Sequence, residues 1–121
     1  MAIDNLAVLH GIPNCDTVKK ARTWMDDHGV PYSFHDFRKQ GVPDALDAWI
    51  TEVGWERLLN RQGTTWRKLD DDTKAGAGDA VGAARLMRAQ ASVIKRPVVR
   101  WADGALTVGF DPGRFAEHLP K

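Results

Sequence analysis

One cysteine, Cys15, is all the thiol this chain has. That excludes an intrachain disulfide framework and a sulfur-rich metal site, and it fits a reducing compartment. No apolar stretch approaches the roughly 20 residues that span a bilayer, and residues 1–30 hold no basic start followed by an apolar signal core. The expectation is a cytoplasmic protein with no membrane partner. An excess of one charge is missing too: 17 Lys+Arg against 16 Asp+Glu leave a formal net charge of +1, which gives no footprint for direct nucleic-acid binding. There is no Gly-x-x-x-x-Gly-Lys loop and no Gly-x-Gly-x-x-Gly after a strand, so the common nucleotide cradles are excluded. A cysteine-phosphatase cradle needs an arginine six positions after the nucleophile, where this chain has Ala21, with Arg22 one residue late.

What remains is the make-up of an ordinary globular protein. The 121 residues are 43% apolar and 27% charged, enough for one domain with a single core. Leu6 to His10 is a short apolar run ended by Gly11 and Pro13, which reads as a buried strand. From Cys15 onward Val18, Ala21, Met25 and His28 recur at helical spacing, and Gly29 with Pro31 supplies the stop. Tyr32 to Phe37 alternates as a second strand, so the opening is β-α-β with a right-handed parallel crossover.

The middle, about residues 43–92, reads as a helical insertion. Pro43-Asp44 opens a helix with Leu46, Trp49, Ile50 and Val53 on one face, and Trp55 to Leu59 forms a shorter piece. Gly63-Thr64-Thr65 breaks the pattern, Asp70-Asp71-Asp72 can begin another turn, and Ala80, Ala84, Met87 and Ala91 mark a helix from about Asp79. The end returns to strands, with Val98 to Trp101 and Ala105 to Val108 joined through Ala102-Asp103-Gly104 as an antiparallel hairpin. Asp111 then caps a last helix with Pro112 at its first position, running through Phe115 and Leu119.

Cys15 ends a strand-to-helix turn. Backbone N–H groups at a helix start favour thiolate over thiol, which makes this cysteine a candidate nucleophile rather than a buried apolar filler. His10 closes the first strand, as a general base near the loop or as a strand-end residue satisfied by backbone. His28, His35 and His118 have no ligand spacing, so no metal is expected. Trp24, Trp49 and Trp55 lie in or beside apolar helical patterns and read as packing residues.

Four segments together resemble the arsenate reductase/Spx family, in particular its branch of glutathione-dependent thiol reductases. They are Gly11-Ile12-Pro13-Asn14-Cys15, Asp36-Phe37-Arg38-Lys39, Leu58 to Trp66, and Ile94-Lys95-Arg96-Pro97-Val98-Val99. The resemblance runs over nearly the whole chain in the family's order. It implies an α/β, thioredoxin-like fold in a single domain, β-α-β then β-β-α on a mixed sheet. It also implies Cys15 as nucleophile, Arg96 beside the sulfur, and Pro97 as a cis-proline facing it. The second basic residue of the family falls in the Leu58 to Trp66 segment, at Arg61 or one residue to either side, where this chain has Asn60 and Gln62.

Two departures narrow the class. Arsenate reductases proper use a third arginine downstream of the Arg-Pro pair, and ungapped counting puts Gly109 there. Spx-type regulators and thioredoxins carry Cys-x-x-Cys, whereas this chain reads Cys15-Asp16-Thr17-Val18. An external thiol must therefore resolve any mixed disulfide, which points to glutathione as co-substrate, with a glutaredoxin as a further partner, and to no tightly bound cofactor. In this reading Asn14 and Thr17 donate hydrogen bonds around the loop, Arg96 and Arg61 bind carboxylates, and Lys19, Arg22 and Arg38 are further cations for an acidic tripeptide. A monomer is expected. The competing readings are a non-enzymatic regulator or adaptor on a transcription complex and a true arsenate reductase.

Overall fold

The computed structural model describes residues 6–119. Their contacts form two compact units: the residues up to Lys39 with those from Arg96 onward, and the intervening Gln40–Lys95.

The first unit is built on a four-stranded sheet. Strands β1 (Ala7–Gly11), β2 (Tyr32–Asp36), β3 (Val98–Arg100) and β4 (Leu106–Val108) lie in the order β2-β1-β3-β4. Helix α1 (Asp16–Asp27) carries the chain back so that β2 pairs with β1 in parallel. β3 then pairs antiparallel with β1 and with β4. This is the mixed sheet of a thioredoxin-like fold.

The period-3.6 stripe of α1, Val18, Ala21 and Met25, is fully buried against Ala7 and Leu9 of β1 and Val99 of β3. Each large member contributes about 1.5–3 kcal/mol of transfer free energy. Gly29, at φ +65°, takes the left-handed conformation that ends the helix, and the Val30 amide donates to the Met25 carbonyl. Across the sheet, Trp101 and the short helix α8 (Pro112–Ala116) close the same core. Phe115 meets Trp101, Trp24 and Phe110 edge to face, with centroids 4.9 to 5.4 Å apart. The carboxylate of Asp111 caps α8 by accepting from the Gly113 and Arg114 amides, with Pro112 at the first position as expected.

One strand end differs from the sequence pattern. Phe37 continues the alternation of β2 but instead begins the single-turn helix α2 (Phe37–Gln40). Asp36 causes the switch, because its Oδ1 accepts from the Arg38 amide at 2.8 Å and the Lys39 amide at 3.4 Å. That is N-cap chemistry at a residue that the alternation reads as strand.

The second unit is helical. It contains α3 (Leu46–Val53), α4 (Trp55–Leu58), α5 (Thr64–Arg67), α6 (Asp71–Gly76) and α7 (Ala80–Ala89), followed by a 3-10 turn, Ala91–Val93. Asp70 and Asp79 cap α6 and α7 by accepting from the Thr73 and Gly82 amides, both at 2.7 Å. Three details depart from the sequence reading. α3 starts at Leu46, after a turn in which the Leu46 amide donates to Pro43. The Gly63-Thr64-Thr65 break is itself the start of α5, with Gly63 in the extended N-cap conformation. The buried face of α7 runs through Gly82, Ala83, Ala84, Leu86 and Met87, while Ala80 is exposed and Ala91 lies beyond the helix. Gly82 packs so close to the Gly76 carbonyl that a Cβ there would collide with it, a close approach that bare periodicity cannot show.

Candidate active site

The β-strand ends bring separated segments of the first unit to one edge of the sheet. β1 ends at Gly11, β2 ends beside it at Asp36, and β3 begins with Val98 opposite His10. The loop to Cys15, the α2 turn with Arg38, and the Arg96–Pro97 peptide therefore share that edge, as ligand sites do in open α/β sheets.

Cys15 is the N-cap residue of α1, extended at φ −89° and ψ 126°, with its amide donating to the Ile12 carbonyl at 3.2 Å. Gly11 allows this tight turn. A Cβ on Gly11 would stand 2.8 Å from Cγ2 of the fully buried Val18, so the strand exit has no room for a side chain. The Cys15 thiol is partly exposed and packs at the margin of the core cluster. Burial pushes its pKa up. The Val18 amide, the Arg96 guanidinium (by hydrogen bonding and by charge) and the Thr17 amide outweigh burial, so the thiol sits below the ordinary cysteine value. Sγ makes no full N-cap hydrogen bond to α1, so the amides act through the field of the helix start as much as through contact.

Arg96 is half-buried and Pro97 is buried, and the bond between them is cis. The Pro97 carbonyl accepts from the Gly109 amide at 2.8 Å. Gly109 itself lies at φ +86°, in the left-handed region where side chains are disfavoured. The position that counting assigns to a third arginine is thus one that the backbone reserves for glycine.

The other sequence-predicted residues are placed as follows. Asn14, Thr17 and Lys19 are exposed around and just beyond the Cys15 loop. Arg38 is exposed in α2, two residues after the register partner of Gly11. Arg22 is committed elsewhere: its Nε donates to the Tyr32 hydroxyl at 3.1 Å and its guanidinium lies 4.1 Å from the centroid of Phe34. Arg61 belongs to the second unit, where its guanidinium lies 5.7 Å from the Trp55 ring centroid. His118 serves structure, with Nδ1 2.7 Å from Asp103 Oδ2 and its ring stacked on Trp101. Among the described residues, no three His, Cys, Asp or Glu side chains come together as a metal ligand set.

Sequence reasoning misses one contributor: Val18 reads as a core side chain, and its amide also faces the sulfur. Of the two readings of His10, the structure matches the strand-end residue satisfied by backbone. Its Nδ1–H donates to the Val98 carbonyl at 2.8 Å, and burial, with the fields of His35 and Arg100, lowers its pKa to about 4 despite that bond. It is a neutral buried donor at neutral pH.

The arrangement is a partly exposed thiol of lowered pKa, with one arginine acting on it, in a chain with no second cysteine. A model of the ArsC family matches residues 10–118. The solved structure of the YffB protein is 50% identical, covers 94% of this chain and 99% of that one, and superposes with a TM-score of 0.88. An arsenate reductase (ArsC) related protein from Brucella melitensis is 47% identical, with 96% of each chain covered and a TM-score of 0.72. An uncharacterized protein of Haemophilus influenzae is 37% identical over 91% of this chain and 96% of its own length. The global transcriptional regulator Spx of Listeria innocua is 23% identical over 96% of this chain and 88% of its own. The matched span takes in the Cys15 loop and the Arg96–Pro97 peptide alike, and by that match the chain belongs to the ArsC family.

Proposed function

We propose that the protein is a monothiol reductase that uses glutathione as co-substrate. The Cys15 thiolate attacks the glutathione sulfur of a glutathionylated substrate, releases the substrate thiolate, and is left as a mixed disulfide with glutathione. A second glutathione thiolate attacks that bond, so Cys15 leaves as thiolate and oxidised glutathione departs. A glutaredoxin can take the place of the second glutathione. The observation that carries the reading is the lowered pKa of Cys15, held by α1 amides and Arg96, in a chain with no other cysteine to resolve the disulfide.

Asn14, Thr17, Lys19 and Arg38 bind the peptide and carboxylate groups of the tripeptide from the edge that carries Cys15, and the Pro97 segment flanks the sulfur. Arg61 is assigned a second cationic role by family resemblance, and Arg61→Ala tests it. Reduction of arsenate is disfavoured by Gly109, because a tetrahedral oxyanion on sulfur calls for several forked donors. The test is glutathione-dependent turnover of a glutathionylated peptide. Wild type is expected to release the peptide thiol catalytically and Cys15→Ser is expected to be inactive. Equal release by both proteins would refute the reading.

A second reading, a regulator or adaptor on a transcription complex, draws on the likeness to Spx. Capture of purified RNA polymerase by wild type and by Cys15→Ser alike, with no thiol turnover, is the outcome that favours it.

A further inference from the structure

We propose that His10 is a positioning residue for Cys15, the link that holds the Arg96–Pro97 arm against the Cys15 arm of the site. The inference rests on the thiolate reading above. His10 stands five residues before Cys15 on β1, and its Nδ1–H donates to the carbonyl of Val98, two residues after Arg96. One side chain thus joins the strand that leads into the nucleophile to the strand that leads out of the arginine.

The surroundings suit a fixed donor. His10 is 6% exposed, on the sheet face opposite the Leu9 core, with its ring 5.2 Å from His35 and 6.3 Å from Phe37. The titratable and charged groups facing it are His35 on β2 and Arg100 on β3. Because a carbonyl can only accept, Nδ1 carries the proton. The ring is neutral, so His10 acts on Cys15 through position and not through its own charge.

The arms have other anchors as well. The Pro97 carbonyl is held by the Gly109 amide from the β4 side, and backbone pairing of His10 with Val98 keeps the strand register. Removing the imidazole donor leaves the sheet paired and the Val98 carbonyl buried without its side-chain donor. The Arg96 arm then gains play against Cys15, and the guanidinium stabilises the thiolate less.

The test follows the alkylation rate of Cys15 with pH in wild type, His10→Phe, His10→Asn and His10→Gln, with circular dichroism and thermal melts as the check on folding. Asn places an amide N–H where Nδ1–H was, Gln places it where Nε2 was, and Phe has none. The expected result is an upward shift of the titration midpoint and an approximately threefold lower rate at pH 6.5 in His10→Phe, with wild-type behaviour restored in His10→Asn. A folded His10→Phe with the wild-type midpoint would overturn the proposal. So would a shifted His10→Phe that His10→Asn does not rescue, because the loss would then be one of packing. If His10→Phe does not fold, His10→Gln takes its place: a shifted midpoint supports the proposal and a midpoint equal to that of His10→Asn overturns it. An ordinary thiol midpoint in wild type would refute the thiolate reading itself, which separates the two failures.

Discussion

The sheet unit and the helical unit are held together by different kinds of contact. In the sheet unit the decisive pairings join residues far apart in sequence, His10 with Val98 across 88 positions and Gly11 with Asp36 across a helix. In the helical unit most elements are four to ten residues long and are set by neighbours: Asp70 with Thr73, Asp79 with Gly82, Gly63 ahead of α5. Long-range pairing is costly to form, and once formed it joins segments that sequence keeps apart. Cys15 and Arg96 both belong to the unit built that way. Locally capped helices can vary piece by piece, and they carry no part of the thiol itself.

That contrast can be broken by substitution. The largest effect is expected from Phe115→Ala, which empties the aromatic cluster that closes the sheet core. About 3–5 kcal/mol should be lost in urea unfolding. A cost near that of a surface substitution would mean that α8 is not part of the cooperative core.

Acid comes next. His10 is neutral in the native state down to about pH 4, whereas unfolded chains take up that proton near pH 6.5. The unfolded state therefore binds more protons between those values, and stability should fall as pH drops from 6.5 to 4, by about 3 kcal/mol from this group. Urea unfolding at pH 7 and pH 4.5 measures the loss. A His10 resonance titrating near pH 6.5 in the folded protein would contradict it.

Arg96→Gln is expected to raise the Cys15 pKa and to slow glutathione exchange at neutral pH about tenfold, the scale of one charge-assisted hydrogen bond. Arg61→Ala should slow it less, and the reverse order would move the main cation of the site to the helical unit. The smallest effect sharpens the contrast most. Asp79→Ala removes the cap of α7 and should cost about 1 kcal/mol. Cys15 alkylation should be unchanged, and slower alkylation would show that the helical unit governs the thiol.

The same contrast explains what could be read from sequence. The β1 run, the Val18-Ala21-Met25 stripe, the Asp-Gly hairpin and the Asp111-Pro112 cap all carry local signals strong enough to place them. So did Cys15 at its helix start and, through the family pattern, Arg96–Pro97. What escaped required partners distant in space or a choice between two local chemistries. Asp36 ended β2 by capping, against an alternation that Phe37 continued. Gly82 faced a neighbouring helix and shifted the buried side of α7. Arg22, two turns beyond Cys15, is drawn to Tyr32 and Phe34.

The most direct test of the central claim is intact mass after mixing purified protein with oxidised glutathione and then with reduced glutathione, for wild type and Cys15→Ser. The account predicts the gain of one glutathionyl group on wild type, its absence on Cys15→Ser, and its loss on adding reduced glutathione. No adduct on wild type, under conditions where a model thiol reacts readily, would contradict it.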